Sequence, residues 1–235
     1  MQNVHLRCLP KFSRFSSHTY SSESIHFDLP DIFSSENSLN AVKSFKLLCP
    51  QLKIDGKRQA AVLIPLCVVK DEVSILYTLR TINLKRNSGQ VSFPGGMREK
   101  NEELKNTALR ESCEELGISK TNIDIWGSGK FIVSKDIAIM PFLGNIGVIE
   151  PNKLNINHHE VQYAFALPLR HFCEPTNCKH TCFRQLSINK LMMIPVYMND
   201  YKRIWGMTAY MTWLALNSII PQQFTHSIYH NMKQV

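Results

Sequence analysis

The chain has 235 residues, 44% hydrophobic and 20% charged, with a formal net charge of +8. That is enough for one well-buried domain of ordinary globular composition, and no apolar run approaches the roughly 20 residues of a membrane-spanning helix. The positive charge could serve a nucleic acid, but the basic residues are scattered rather than striped. An enzyme for a small polyanion would gain from the same field, so a small-molecule substrate is expected and nucleic acid is not. The oligomeric state is left at monomer or homodimer.

In chain order, residues 1–22 contain no acidic side chain, and Arg7, Lys11 and Arg14 alternate with Leu6, Leu9, Phe12, Phe15 and several serines. This basic, Ser-rich, acid-free composition is that of a mitochondrial transit segment, and Arg14-Phe15-Ser16-Ser17 resembles a matrix-protease cleavage context. A tail with accidental charge bias is the alternative. Residues 23–40 are rich in Ser, Asp, Asn and Pro and read as a flexible linker. A single domain is expected over 41–225, followed by a tail over 226–235.

Ala60 to Val69 is a continuous apolar run and predicts a central strand, with Pro65 favouring a bulge or an edge position. Lys70-Asp71-Glu72 makes a turn, and Val73 to Thr78 pairs back. Thr81 to Gly89 reads as a loop, Gln90 to Phe93 as a short strand and Pro94-Gly95-Gly96 as a terminating turn. A helix is expected from Asn101 or Glu102 to Leu116, with Leu104, Ala108, Leu109, Cys113 and Leu116 buried and Gly117 stopping it. Further strands are expected over Ile123–Trp126, Ile137–Ile149 and Val161–Leu167, then a short helix over Pro168–Phe172. A late hairpin of Leu191–Tyr197 with Arg203–Trp205 precedes a helix over Thr208–Leu216. The order predicts a mixed sheet flanked by helices, an α/β (α+β) sandwich rather than a doubly wound fold.

Seven cysteines without a secretory apolar segment ahead of them indicate a reduced compartment. Cys173, Cys178 and Cys182, with His171 and His180, invite a zinc reading. Their spacing is irregular and lacks a second clean pair, so scattered loop and core thiols are the simpler expectation.

The chemistry concentrates on the acidic helix. Positions three and four apart share a face, so Glu111, Glu114 and Glu115 crowd together and repel. A divalent metal would relieve that repulsion, and carboxylate oxygens suit Mg²⁺ or Mn²⁺. Arg110 lies four before Glu114 and eight after Glu102, placed to hold acids in orientation. Arg80, Lys85 and Arg86 are loop cations that could steady phosphates. The Gly95-Gly96 pair lets the backbone approach closely, and a carbonyl there could complete a metal shell. Metal-dependent phosphoanhydride chemistry follows, with the leaving group open.

Gly96, five residues, Glu102, seven residues and Arg110-Glu111-Ser112-Cys113-Glu114-Glu115-Leu116-Gly117-Ile118 are similar to the Nudix box. Ser112 departs from it, standing where an aliphatic residue is usual, and a small packing change is expected there. The resemblance implies an α/β/α sandwich and hydrolysis of a nucleoside diphosphate linked to another moiety. It also implies metal coordination by Glu111, Glu114, Glu115 and the Gly96 carbonyl, with Glu102 and Arg110 as structural support.

Leu76 to Arg80 and Leu84 to Gly96 look like the extra signature of the coenzyme A diphosphatases of this family, with Asn87 where many members carry histidine. Ala61–Cys67, Ile125–Gly127, Phe165–Leu169 and Arg203–Ala209 resemble the mitochondrial member of that group, which implies the mitochondrial matrix. The implied substrate is coenzyme A or acyl-CoA, and the products are 3′,5′-ADP and 4′-phosphopantetheine. Glu160, at a strand start where many members place another acid, is a candidate metal ligand or water-activating base. Arg80, Lys85, Gln90 and Gly95 are the expected substrate contacts. A different nucleoside diphosphate substrate and a catalytically silent nucleotide-binding protein are the competing readings.

Overall fold

The computed structural model describes residues 32–84, 87–134, 136–185 and 190–226. The expected transit segment over 1–22 lies outside the described residues, as do Lys85 and Arg86 and all but the first residue of the C-terminal tail. Helix α1 runs over Ser35–Leu48, with the Ser34 side chain accepting from the Asn37 N–H at 3.2 Å. It therefore takes up the end of the segment read as a linker.

Strands β1 (Arg58–Val69) and β2 (Glu72–Arg80) form the expected hairpin, closed by Lys70 and Asp71, both at positive φ. Two such residues make the tight turn whose twist matches the strands, here without a glycine. Then follow β3 (Val91–Ser92), β4 (Gly95–Met97) and helix α2 (Leu104–Leu116). The next elements are β5 (Asp124–Ser128), β6 (Ile132–Ser134), β7 (Ile137–Val148), β8 (Val161–Pro168) and α3 (Leu169–Cys173). The chain ends in β9 (Cys178–Gln185), β10 (Lys190–Tyr197) and α4 (Gly206–Ile219).

Among the described residues, β1 to β8 form one mixed sheet in which β1 and β7 run parallel and the other pairs antiparallel. The alternation of strand side chains sorts the core into two layers. Ala61, Leu63, Cys67 and Leu76 face α2 with Ala108, Leu109 and Leu116. Ile64, Leu66, Ile75, Tyr77 and Leu79 face α1 and α4 with Phe45, Met211 and Leu214. The α/β/α sandwich is present.

Four expectations need correction. Pro65 sits in a central strand rather than at an edge, opposite Gly144 of β7 and just before the register shift between Leu66 and Val68, where β1 changes its other partner from β4 (up to Val62) to β2 (from Leu66). Its missing N–H falls in that gap rather than at an edge. The Gly95-Gly96 turn is instead strand β4, paired with Val62 and Ala61. Helix α2 starts at Leu104, because Asn101 adopts a φ of 64° that a helix cannot contain. The late hairpin joins β10 to β9, whereas Arg203–Trp205 contributes only a bridge between Ile204 and Tyr197.

Candidate active site

The site is built where α2 ends against the last residues of β2. Gly117 closes the helix at φ 66°, its N–H bonded to Cys113 O. The chain that later returns there is tied down by backbone bonds. Asn157 N–H donates to Glu115 O at 3.0 Å, Glu160 N–H to Asn157 O at 3.0 Å and Thr81 N–H to Glu160 O at 2.9 Å. These bonds carry Glu160 to the helix face that bears Glu111 and Glu115. One carboxylate oxygen from each of Glu111, Glu115 and Glu160 lies within 4.8 Å of the others.

Glu115 is only 1% exposed, and its Oε2 has no hydrogen-bond partner among the described residues. Burial pushes its carboxyl up to about 8. The Arg80 guanidinium opposes that shift, Glu111 and Glu160 add to it, and the Gly95 backbone opposes it. Burial likewise raises Glu111, against the pull of Arg110. Three converging carboxylates with an orphaned buried oxygen are costly when all are charged. A divalent cation among them removes that cost, and an all-oxygen donor set fits one. The cluster is thus capable of holding a divalent metal ion.

Arg110 organises the acids from outside. Its Nε and Nη2 bond Glu102 at 3.0 and 3.2 Å, while Nη1 bonds Glu111 Oε1 at 2.9 Å and Glu114 Oε2 at 3.2 Å. Hydrogen bonds from Arg110 hold the Glu102 carboxyl down at about 2. Glu114 is exposed and lies outside the cluster of three, so the structure brings Glu111 and Glu115 together with Glu160 rather than with Glu114.

The two glycines have separate geometric reasons. A Cβ on Gly96 would run into the Glu111 carboxylate. Gly95, at φ 152°, packs on β1, where a Cβ would meet Ala61 O and lie 2.6 Å from Val62 Cα. The absence of a Cβ on Gly95 thus lets β4 lie against β1. Arg80 Nη1 stands 3.7 Å from Glu115 Oε1, and Arg80 N–H bonds Gln90 O at 3.0 Å, so Arg80 and Gln90 flank the cluster together.

The NUDIX domain family matches residues 57–177. The chain is 35% identical over 196 residues to the human mitochondrial coenzyme A diphosphatase NUDT8, covering 82% of each chain. It is 34% identical over 203 residues to the mouse protein of that name, covering 85% of this chain and 96% of that one. Against Nudix hydrolase 3 of Caenorhabditis elegans it is 31% identical over 197 residues, 76% of this chain and 81% of that one. This chain belongs to the Nudix family.

As a Nudix hydrolase it is an enzyme that splits phosphoanhydrides in small nucleoside-diphosphate-linked substrates. Among the described residues no helix is long and apolar enough to cross a membrane. The acid cluster is the one group of possible metal ligands among those residues, so the zinc reading of Cys173 to Cys182 finds no support. There, His171 bonds Met198 O at 2.8 Å and Asn177 at 3.2 Å, Cys178 is buried and Cys182 exposed.

Two supports were missed by sequence reasoning. Thr107 Oγ1 donates to Glu102 Oε2 at 2.8 Å, and Arg98 Nε donates to Glu102 O at 2.6 Å. Their spacing of five and four residues from Glu102 was the available signal. Ser112, the departure from the Nudix pattern, is fully buried and donates to Ala108 O at 2.7 Å, so its hydroxyl is satisfied within the helix.

Proposed function

We propose that this Nudix hydrolase cleaves the diphosphate of coenzyme A or acyl-CoA to 3′,5′-ADP and (acyl-)4′-phosphopantetheine, using Mg²⁺ or Mn²⁺. The observation that carries the reading is the meeting of Glu111, Glu115 and Glu160, beside Arg80, around a buried oxygen that has no partner among the described residues. The names of the human and mouse relatives support the substrate, as does the resemblance of Leu84 to Gly96 to the coenzyme A signature.

Glu111, Glu114, Glu115 and the Gly96 carbonyl would hold the metal, with Glu160 beside them. When bound, such an ion polarises a phosphoryl oxygen and acidifies a coordinated water. Glu160 accepts the proton of the attacking water as a new P–O bond forms and the anhydride P–O bond breaks. Arg80, flanking the cluster, balances charge on the phosphate that is not attacked, and Gln90 and Lys85 contact the nucleotide side. Glu102 and Arg110 keep Glu111 and Glu114 in orientation. The same resemblances support a mitochondrial matrix location, with residues 1–22 as leader.

The test is a substrate panel. Purified protein is incubated with coenzyme A, ADP-ribose, NADH and diadenosine polyphosphates in Mg²⁺ or Mn²⁺, and the products are resolved. Coenzyme A is expected to have the highest kcat/KM. Rapid turnover of another substrate with coenzyme A left intact would overturn the reading.

A further inference from the structure

Residues 199–208 pack on the layer opposite α2, and two contacts tie them to β8 and β3, the strands that flank β2. Tyr201 stacks on Phe165 with ring centroids 4.7 Å apart and lies 6.3 Å from Tyr163. Both partners are on β8, whose first residue, Val161, stands opposite Arg80. Further on, Thr208 Oγ1 donates to Val91 O at 3.0 Å, next to Gln90, whose carbonyl receives the Arg80 N–H. The start of α4 thus stands one residue from Gln90 and, through the Gln90 carbonyl, beside Arg80.

Its side chains are sorted by strand alternation. Ile204 is fully buried and exchanges two backbone bonds of 2.9 Å with Tyr197, which pins the segment. Arg203 and Trp205, on either side of it, both face outward. The Arg203 guanidinium lies over the Trp205 ring at 5.6 Å, and Lys202 is exposed beside them. Neither Lys202 nor Arg203 forms an ion pair among the described residues. Trp205 is 36% exposed at the start of α4, although a surface indole is costly to leave in water.

We infer that Trp205, Arg203 and Lys202 form the subsite for a purine nucleoside bearing a 3′-phosphate, the indole and guanidinium stacking the base and the two cations binding the phosphate. An aromatic plane with a guanidinium layered on it offers a base a stacking surface. The outward N–H groups of Arg203 offer a phosphate paired, charge-assisted bonds. The assignment rests on the coenzyme A reading, because it is the 3′-phosphate that separates that nucleotide from simple ADP derivatives.

The experiment compares coenzyme A with 3′-dephospho-coenzyme A in wild type, Arg203→Gln, Arg203→Lys and Trp205→Ala. A charge-assisted bond lost to water costs about tenfold or more in binding. Arg203→Gln is expected to raise KM for coenzyme A at least tenfold with kcat held, and to leave KM for the dephospho form unchanged. Arg203→Lys recovers part of the loss, and Trp205→Ala raises KM for both. Calorimetric binding of 3′,5′-ADP and 5′-AMP to the same proteins gives a readout independent of turnover. Wild type should prefer 3′,5′-ADP, and Arg203→Gln should lose that preference. Equal affinity of wild type for the two nucleotides overturns the subsite, as does an unchanged KM ratio in Arg203→Gln. Wild type leaving coenzyme A intact instead overturns the functional reading itself.

Discussion

The Arg80 guanidinium stands 3.7 Å from the Glu115 carboxylate, beyond hydrogen-bond length, and each side chain keeps a buried atom without a partner among the described residues. A charge pair this close, left unjoined with its carboxylate buried, leaves room for a third participant. Folding alone does not satisfy it.

That relationship predicts how metal-free stability depends on pH. Unfolded, Glu115 titrates near 4.5; folded, burial raises it to about 8. Between those values the folded chain holds a proton that the unfolded chain has released, so stability falls as pH rises through the window. Urea melts of metal-free protein should lose more than about 1.4 kcal/mol, one pKa unit's worth, across it. Glu115→Gln should flatten the profile, and Mg²⁺ should stabilise wild type more at the alkaline end than at the acid end. A metal-free stability that rises over the same range would contradict the prediction.

The adjacent glycines should fail in different ways. Gly96→Ala places a methyl against the Glu111 carboxylate and leaves the strand pairing alone, so activity falls by more than a hundredfold while the melting temperature holds. Gly95→Ala meets the β1 backbone at a φ unsuited to alanine, so it should lose roughly 1–3 kcal/mol or more of stability. Activity assays paired with thermal melts of both variants separate the two effects.

Arg110→Lys retains the charge but cannot reach Glu102, Glu111 and Glu114 together as the planar fork does. The Mg²⁺ concentration for half-maximal activity should rise about 10–100-fold, in line with the loss of a group that orients metal ligands. An unchanged metal requirement would show that the acids orient themselves.

The leader is tested separately. Residues 1–40 fused to a fluorescent reporter should carry it into mitochondria and be shortened there. A reporter that stays in the cytosol would reject the transit segment.

How much of this was legible depended on the range of the interactions. Glu111 and Glu115 share a face because helical periodicity is local, so their pairing could be read directly from spacing. The meeting with Glu160 depends on backbone bonds from Asn157 to Glu115 and from Thr81 to Glu160, which no local pattern encodes; only the family resemblance pointed there. Gly95 and Gly96 looked like a turn because glycine ordinarily interrupts strands. Here it permits β4 to lie against β1 and the Glu111 carboxylate. Strand β9 escaped notice because Cys178 to Gln185 mixes polar and apolar residues without alternation, so nothing in its own pattern marked it as the partner of β10.

The most direct test of the whole account is product analysis of coenzyme A treated with wild type and with Glu115→Gln, in Mg²⁺ and after chelation. The account predicts stoichiometric 3′,5′-ADP and 4′-phosphopantetheine from wild type with Mg²⁺ alone, and at least a hundredfold less in the other arms. Cleavage that persists after chelation, or in Glu115→Gln at the wild-type rate, would contradict it.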